Sequence, residues 1–209
     1  MNRSTITAEQ QASVAAMLAS MPDLPSGVGS KENACSIAAI NLALTGKLTD
    51  KIPDCMSPVI GKWIIKIQDS APAELRNSER WRRLLPLAAG TGRDREDERS
   101  SVALDWMWSV VLPRLQPLAD KHGFGESWKK MCDLRTRADA AAVSAAYASA
   151  SYFASYAATA ATAATAAAYA SAAYANAANA YTADADFWHY VDPCGCLERM
   201  INLPEGDRK

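Results

Sequence analysis

The chain has 209 residues, 49% of them hydrophobic and 22% charged, and its formal net charge of −1 gives no global pull toward nucleic acid or an anionic membrane. It is long enough to bury one core of ordinary size and to carry something more. The first thirty residues hold no continuous apolar stretch behind a cationic cluster, so no signal peptide is expected and the cytoplasm is the expected location. Five cysteines, Cys35, Cys55, Cys132, Cys194 and Cys196, are odd in number and unrelated in spacing, which argues for reduced thiols over a disulfide framework.

In chain order, Thr7 and Gln10 form the signature of a capping box opening a first helix that runs to about Met21. Ser30 is placed to cap a second, from Lys31 to Thr45, closed by Gly46, and both helices read as amphipathic. Pro58 stands at a first helical position, followed at one-face spacing by Val59, Ile60, Trp63, Ile64 and Ile67, with Lys62 and Lys66 facing away. Ser78 opens another helix carrying Trp81, Leu84 and Leu85. From about Asp94 a longer helix runs through VALDWMWSVVL and is interrupted near Pro113 and Pro117, which lack the amide donor that a helix needs. No stretch alternates as a strand would, and an all-α globular head over 1–125 is expected.

Between Glu126 and Val191 there is neither Gly nor Pro, and residues 140–183 comprise 25 Ala, 6 Tyr, 5 Ser, 4 Thr, 2 Asn, Val143 and Phe153. Alanine is the strongest helix former, so the segment 126–191 is expected to be a long helix or a helical hairpin, ahead of a short tail at 192–209. Unbroken, it would span roughly 100 Å. YASASY at 147–152 returns as YASAAY at 169–174, an offset of 22 residues that keeps a helical stripe nearly straight. On a helical wheel with Tyr147 at zero, Tyr152, Tyr156, Tyr174, Tyr181 and Trp188 fall between about 140° and 180°, while Tyr147, Phe153 and Tyr169 fall outside that arc. A helix with so little charge exposes a weakly apolar surface that soluble monomers rarely tolerate, and its small side chains permit close approach of a second helix. Homo-oligomerisation through those five aromatic residues is the expected use. Scarce Leu and Ile leave too little transfer energy for a membrane span. Thr159, Thr162 and Thr165 resemble the Ala/Thr pattern of ice-binding helices, but a spacing of three turns each by about 60° from the last and spoils a flat face.

Two glycine loops in the head suggest anion binding. SGVGSKEN at 26–33, with Gly27, Gly29, Ser30 and Lys31, and AGTGRDRE at 89–96, with Gly90, Thr91, Gly92 and Arg93, each set a Gly-x-Gly turn and a cation before an expected helix N-terminus. The first lacks phosphate-loop spacing and the second follows no strand, so ordinary helix entry is the competing reading. Arg76, Arg80, Arg82, Arg83, Arg93, Arg95 and Arg99 crowd the same region and offer forked phosphate contacts, Arg80 and Arg83 as supporting residues. Interspersed Glu79, Asp94, Glu96, Asp97 and Glu98 favour a self-paired surface instead. Asp105 lies in an apolar run whose periodicity buries it, with an arginine of that cluster as the natural partner.

Catalytic patterns are sparse. Cys35 near a helix start is a candidate thiolate, with His122 or His189 as base, but nothing in the sequence joins them, and a small buried thiol is the default. Cys55 receives the same reading. His189, Asp192, Cys194 and Cys196 lack the paired knuckle of a zinc site, so neither metal nor cofactor is expected.

The run SGVGSKENACSIAAINLALTGKLTDKIPDCMSPVIGKWI, the later LLPLAAGTGR and the Ala-rich tract together resemble proteins carried by bacteriophages and by prophages of bacteria. The resemblance implies a setting inside a bacterial host and brings no catalytic residues. By analogy with small phage accessory proteins it implies a non-enzymatic antagonist of bacterial immunity that sequesters a small anionic, nucleotide-type signal or occupies a host defence protein. An assembly component without a ligand, and an enzyme using Cys35 or Asp105, are the competing classes. No nucleic-acid or membrane partner is expected.

Overall fold

The computed structural model describes residues 6–121, 123, 125–135 and 185–204. Among the described residues the regular elements are all helical, with one isolated bridge between Gly29 and Ala34. The chain divides into two compact units, Met1–Arg99 with Asp192–Lys209 and Ser100–Val191. The described residues from Asp192 onward, in the segment read from sequence as a short tail, fall in the first of these units.

In the first unit, α1 (Ala8–Ser20) opens on the expected capping box. Thr7 Oγ1 accepts from the Gln10 amide at 3.1 Å and Gln10 Oε1 accepts from the Thr7 amide at 2.9 Å. The second helix departs from expectation. It starts at Ser36, not Lys31, because 28–35 is a tight hairpin in which Ser30 N–H donates to Asn33 O (3.0 Å) and Cys35 N–H to Val28 O (3.1 Å). Ser30 turns its hydroxyl to Glu32 (2.9 Å), and Cys35 Sγ caps the helix instead, accepting from the Ala38 amide at 3.4 Å. Helix α2 (Ser36–Thr45) buries six successive residues, Ser36 to Asn41, so it is a central helix and not an amphipathic one. Gly46 closes it at φ 72°.

Gly29 holds the hairpin at φ 76°, and a Cβ there would meet the Asn33 carbonyl oxygen at 2.1 Å. Gly29→Ala is therefore expected to cost about 2 kcal/mol, read as a lowered urea midpoint. An unchanged midpoint would show that the hairpin relaxes freely.

Helix α3 (Pro58–Ser70) is capped by Ser57 and buries Ile60, Trp63, Ile64 and Ile67, leaving Lys62 and Lys66 exposed as expected. After the short α4 (Ala73–Arg76), Ser78 caps α5 (Glu79–Ala89), whose Trp81 stacks on Trp63 with centroids 6.2 Å apart and donates its indole N–H to Ser36 Oγ at 3.1 Å. Helix α2 packs against α1, α3 and α5. Arg82 closes the far end of α1 by donating to the Leu18 and Met21 carbonyls.

Helix α6 (Glu96–Trp106) passes from the first unit into the second and widens into a π-helical stretch, Met107–Val111, where the Leu112 amide reaches back to Met107 O. Pro113, with no N–H to give, lies just beyond, which accounts for the local change of register. Short helices follow, α7 (Leu112–Arg114), α8 (Gln116–Lys121) and α9 (Gly125–Leu134). Trp128 Nε1 donates to Leu112 O at 2.9 Å and Trp106 Nε1 to Val191 O at 2.6 Å. Helix α9 is followed by Arg135 at φ 53°, and most of the segment 126–191, expected to be a long helix or a helical hairpin, lies outside the described residues. The whole alanine-rich stretch at 140–183, including Tyr152, Tyr156, Tyr174 and Tyr181, lies outside the described residues. Trp188 is described, in α10 (Ala185–Val191), where it is buried and meets Phe187 edge to face at 6.0 Å. Helix α11 (Pro193–Ile201) returns to the first unit, packing on α3 and α5. No described helix is long and apolar enough to cross a membrane.

Candidate functional site

The two glycine loops do not converge. Gly27 sits at the C-terminal end of α3, where its amide donates to Asp69 Oδ1 at 3.1 Å and the neighbouring Pro25 carbonyl accepts from Gln68 at 2.7 Å. The Gly90–Arg93 loop sits at the N-terminal end of α3, Thr91 Oγ1 accepting from the Ser57 amide at 3.1 Å. Thirteen residues of helix set the two ends about 18 Å apart. Beside the first loop is a cavity of about 30 Å³ lined in part by Cys35, Asp50 and Asp69, with room for little beyond a water and with carboxylates opposed to an anion. Because α2 starts at Ser36, Ser30 and Lys31 do not stand at a helix N-terminus.

The arginines are mostly committed to internal partners. Arg99, 4% exposed, donates to Glu96 Oε1 (3.0 Å), Gly92 O (3.1 Å) and Thr91 O (2.7 Å), so the second loop turns two carbonyls toward a buried cation. Glu96 in turn supplies the anion at the α3 N-terminus, accepting from the Val59 amide at 3.0 Å and Ser57 Oγ at 2.9 Å. Arg80 grips Asp192 at 2.7 Å and Glu198 at 2.8 Å, Arg83 reaches Glu198 at 3.5 Å, and Arg95 pairs with Glu98 and caps the Leu203 and Pro204 carbonyls. Asp105, expected to be buried, is half exposed on α6 and accepts from Ser109 Oγ at 3.2 Å, with Arg135 at 3.8 Å as its cation. The outward position of Asp105 in the helix overrides the apolar run around it.

No family model, curated protein or solved structure matches the chain.

The thiols are poorly suited to nucleophilic work. Burial pushes the Cys132 thiol up to about 12 and that of Cys194 up to about 11, and it raises Cys35 and Cys55 as well. His189 is exposed, and His122 lies outside the described residues. No group of three metal-ligating side chains assembles among the described residues.

The better-formed site is a groove of about 620 Å³ between the C-terminal end of α2, the 47–55 loop and the start of α1. Buried Asn41 builds it, its side-chain amide reaching Ile37 O (3.1 Å), Thr49 O (2.9 Å) and Lys51 O (2.8 Å), which fastens the loop to the helix. Thr45 Oγ1 donates to Asn41 O at 2.8 Å and accepts from the Lys47 amide. Ile6, Leu44, Ile52 and Pro53 give apolar wall; Gln10, Thr45 and Thr49 give hydrogen-bonding groups; Lys47 and Lys51 stand exposed at the edge, with no carboxylate partner among the described residues, and the one lining carboxylate, Asp54, is bridged to Arg93. The Gly90–Arg93 loop backs this groove. A Cβ on Gly90 would meet Ile6 at 3.3 Å, the Gly92 amide donates to Cys55 O at 2.8 Å, and Arg93 reaches Asp54 at 3.0 Å. Sequence reasoning singled out that loop and missed the lysines in front of it. The alternation Thr45, Lys47, Thr49, Lys51 running across a helix-closing glycine was the available signal. In the second unit, a depression of about 430 Å³ lined by Trp108, Pro113 and Lys129 has its lysine already paired with Asp133 at 2.6 Å.

Proposed function

We propose that the chain is a non-enzymatic binding protein that holds a small anionic ligand of nucleotide type in the groove between α2 and the 47–55 loop. The observation that carries this reading is the pair Lys47 and Lys51, exposed without carboxylate partners beside an apolar wall of Ile6, Leu44 and Ile52. Lysine ammonium groups suit phosphate charge, an apolar wall suits a base, and the volume falls in the range of small-molecule sites. Arg93, tied to Asp54 by an exposed bridge, is free to exchange partners at little cost. In the phage setting that the sequence resemblance implies, such a protein acts in the host cytoplasm by lowering the free concentration of a nucleotide signal. A protein that assembles without a ligand is the second reading, and the composition of residues 140–183 favours it.

Melting the purified chain with a panel of cyclic mono- and dinucleotides separates the two. Binding at one hundred times the dissociation constant is expected to add about 2.7 kcal/mol of stability, seen as a raised Tm, and heat should release the ligand chemically unchanged. Lys47→Glu with Lys51→Glu is expected to weaken binding at least about tenfold while leaving the unliganded Tm in place, since both side chains are exposed. No shift with any member of the panel, or a ligand recovered altered, would overturn the proposal.

A further inference from the structure

A second groove, of about 730 Å³, runs between α1 and α5 on the first unit. Its α1 side is a ladder of exposed alanines, Ala8, Ala12, Ala15 and Ala19, and its α5 side carries Glu79, Arg83 and Pro86. Small side chains at that spacing lie on one helix face and let another helix approach closely. We infer that this groove docks a second copy of the chain across a two-fold axis that sets Glu79 of each copy opposite the partner's Arg83.

Charge and level together point to that occupant. Glu79 and Arg83 stand one helical turn apart, the spacing at which they would ordinarily pair with each other. They do not. Arg83, 68% exposed, leans toward Glu198 at 3.5 Å, and Glu79 has no cation partner among the described residues. Two opposite charges a turn apart are self-complementary about an axis at the midpoint between them, since antiparallel copies then form the Glu–Arg contact twice. The register of α1 against α5 places that midpoint well. The helices are antiparallel, with Ile6 beside Gly90 at one end and Arg82 on the Leu18 and Met21 carbonyls at the other. Moving about ten residues along each helix from the Ile6–Gly90 contact brings Ala15–Ala16 level with Arg80–Trp81. Trp81 is midway between Glu79 and Arg83, and Ala15–Ala16 is midway between Ala12 and Ala19. One axis therefore satisfies the charges and the Ala12–Ala19 part of the ladder at once. Arg83 leaves only a long, exposed bridge to take up the new partner.

Charge reversal in the full chain, read by sedimentation equilibrium up to about 100 µM, tests this. Glu79→Arg gives a copy with two cations at the axis, and Arg83→Glu gives one with two anions. Each alone is expected to associate at least about tenfold more weakly than the parent, and an equimolar mixture to recover the lost affinity as a heterodimer. Ala15→Arg, at an exposed position, is expected to block association in either background, with far-UV circular dichroism unchanged. A parent chain that stays single at the highest concentration overturns the inference. So does association by any other surface, the alanine tract or a foreign protein included, which would appear as a mixture no tighter than its components or as indifference to Ala15→Arg.

Discussion

Replacing Arg99 by methionine is expected to lower the stability of the first unit by about 3 kcal/mol, measured as urea unfolding followed by far-UV circular dichroism. Methionine keeps much of the apolar stem, so the loss isolates the guanidinium. That group joins three parts of the unit: the Glu96 carboxylate and the Thr91 and Gly92 carbonyls that shape the second glycine loop. Removing one partner of a buried pair leaves the other uncompensated, at about 3–5 kcal/mol. The lower end applies because Glu96 is 28% exposed and keeps its bonds to Ser57 and Val59. Arg99→Lys is expected to recover little, since one ammonium cannot match the forked geometry that serves a carboxylate and two carbonyls. A loss under about 1 kcal/mol would mean that water replaces the guanidinium, and that the loop stands without it.

What the sequence discloses and what it conceals follow the range of the interactions. The capping box at Thr7 and Gln10, the Pro58 entry, the Ser78 cap and the Gly46 stop were legible because each is decided within four residues. The start of α2 was not. Ser30 and Cys35 can both cap, and the choice is made by a hairpin and by Gln68 Oε1, which accepts from the Ser36 amide at 3.0 Å from 32 residues away. The arginine cluster was visible, but the carboxylates that engage Arg80 lie 112 and 118 residues further on, beyond any spacing rule. Asp105 misled because an apolar run implies burial of its members only if helical phase agrees, and the phase turns this residue outward. The groove was half legible. Its Gly90–Arg93 backing carries a motif, whereas Ile6, Asn41 and the two lysines become a site only when α1 and α2 are set side by side.

Ending the chain after Val191 is expected to abolish the cooperative unfolding of the first unit. Two kinds of interaction hold α11 in place, and magnitudes decide between them. Arg80 makes three hydrogen bonds to Asp192 and Glu198, its guanidinium shifted toward the protonated form and the Glu198 carboxyl held below the usual carboxylate range by it. Yet Arg80 and Asp192 are 42% and 47% exposed, so bridges of this kind contribute no more than about 1 kcal/mol. Burial weighs more. Cys194, Cys196, Leu197 and Met200 are 0–5% exposed, and large apolar side chains contribute about 1.5–3 kcal/mol each when fully buried. Their combined loss, with the apolar faces of α3 and α5 left bare, is comparable with the roughly 5–15 kcal/mol that a whole domain retains. Arg80→Gln is accordingly expected to shift the urea midpoint only slightly, while the truncated chain shows no native baseline and binds a dye for exposed apolar surface. A shortened chain that unfolds with an undiminished midpoint would place 192–204 outside the folding unit, and the core of α2, α3 and α5 would then be complete without it.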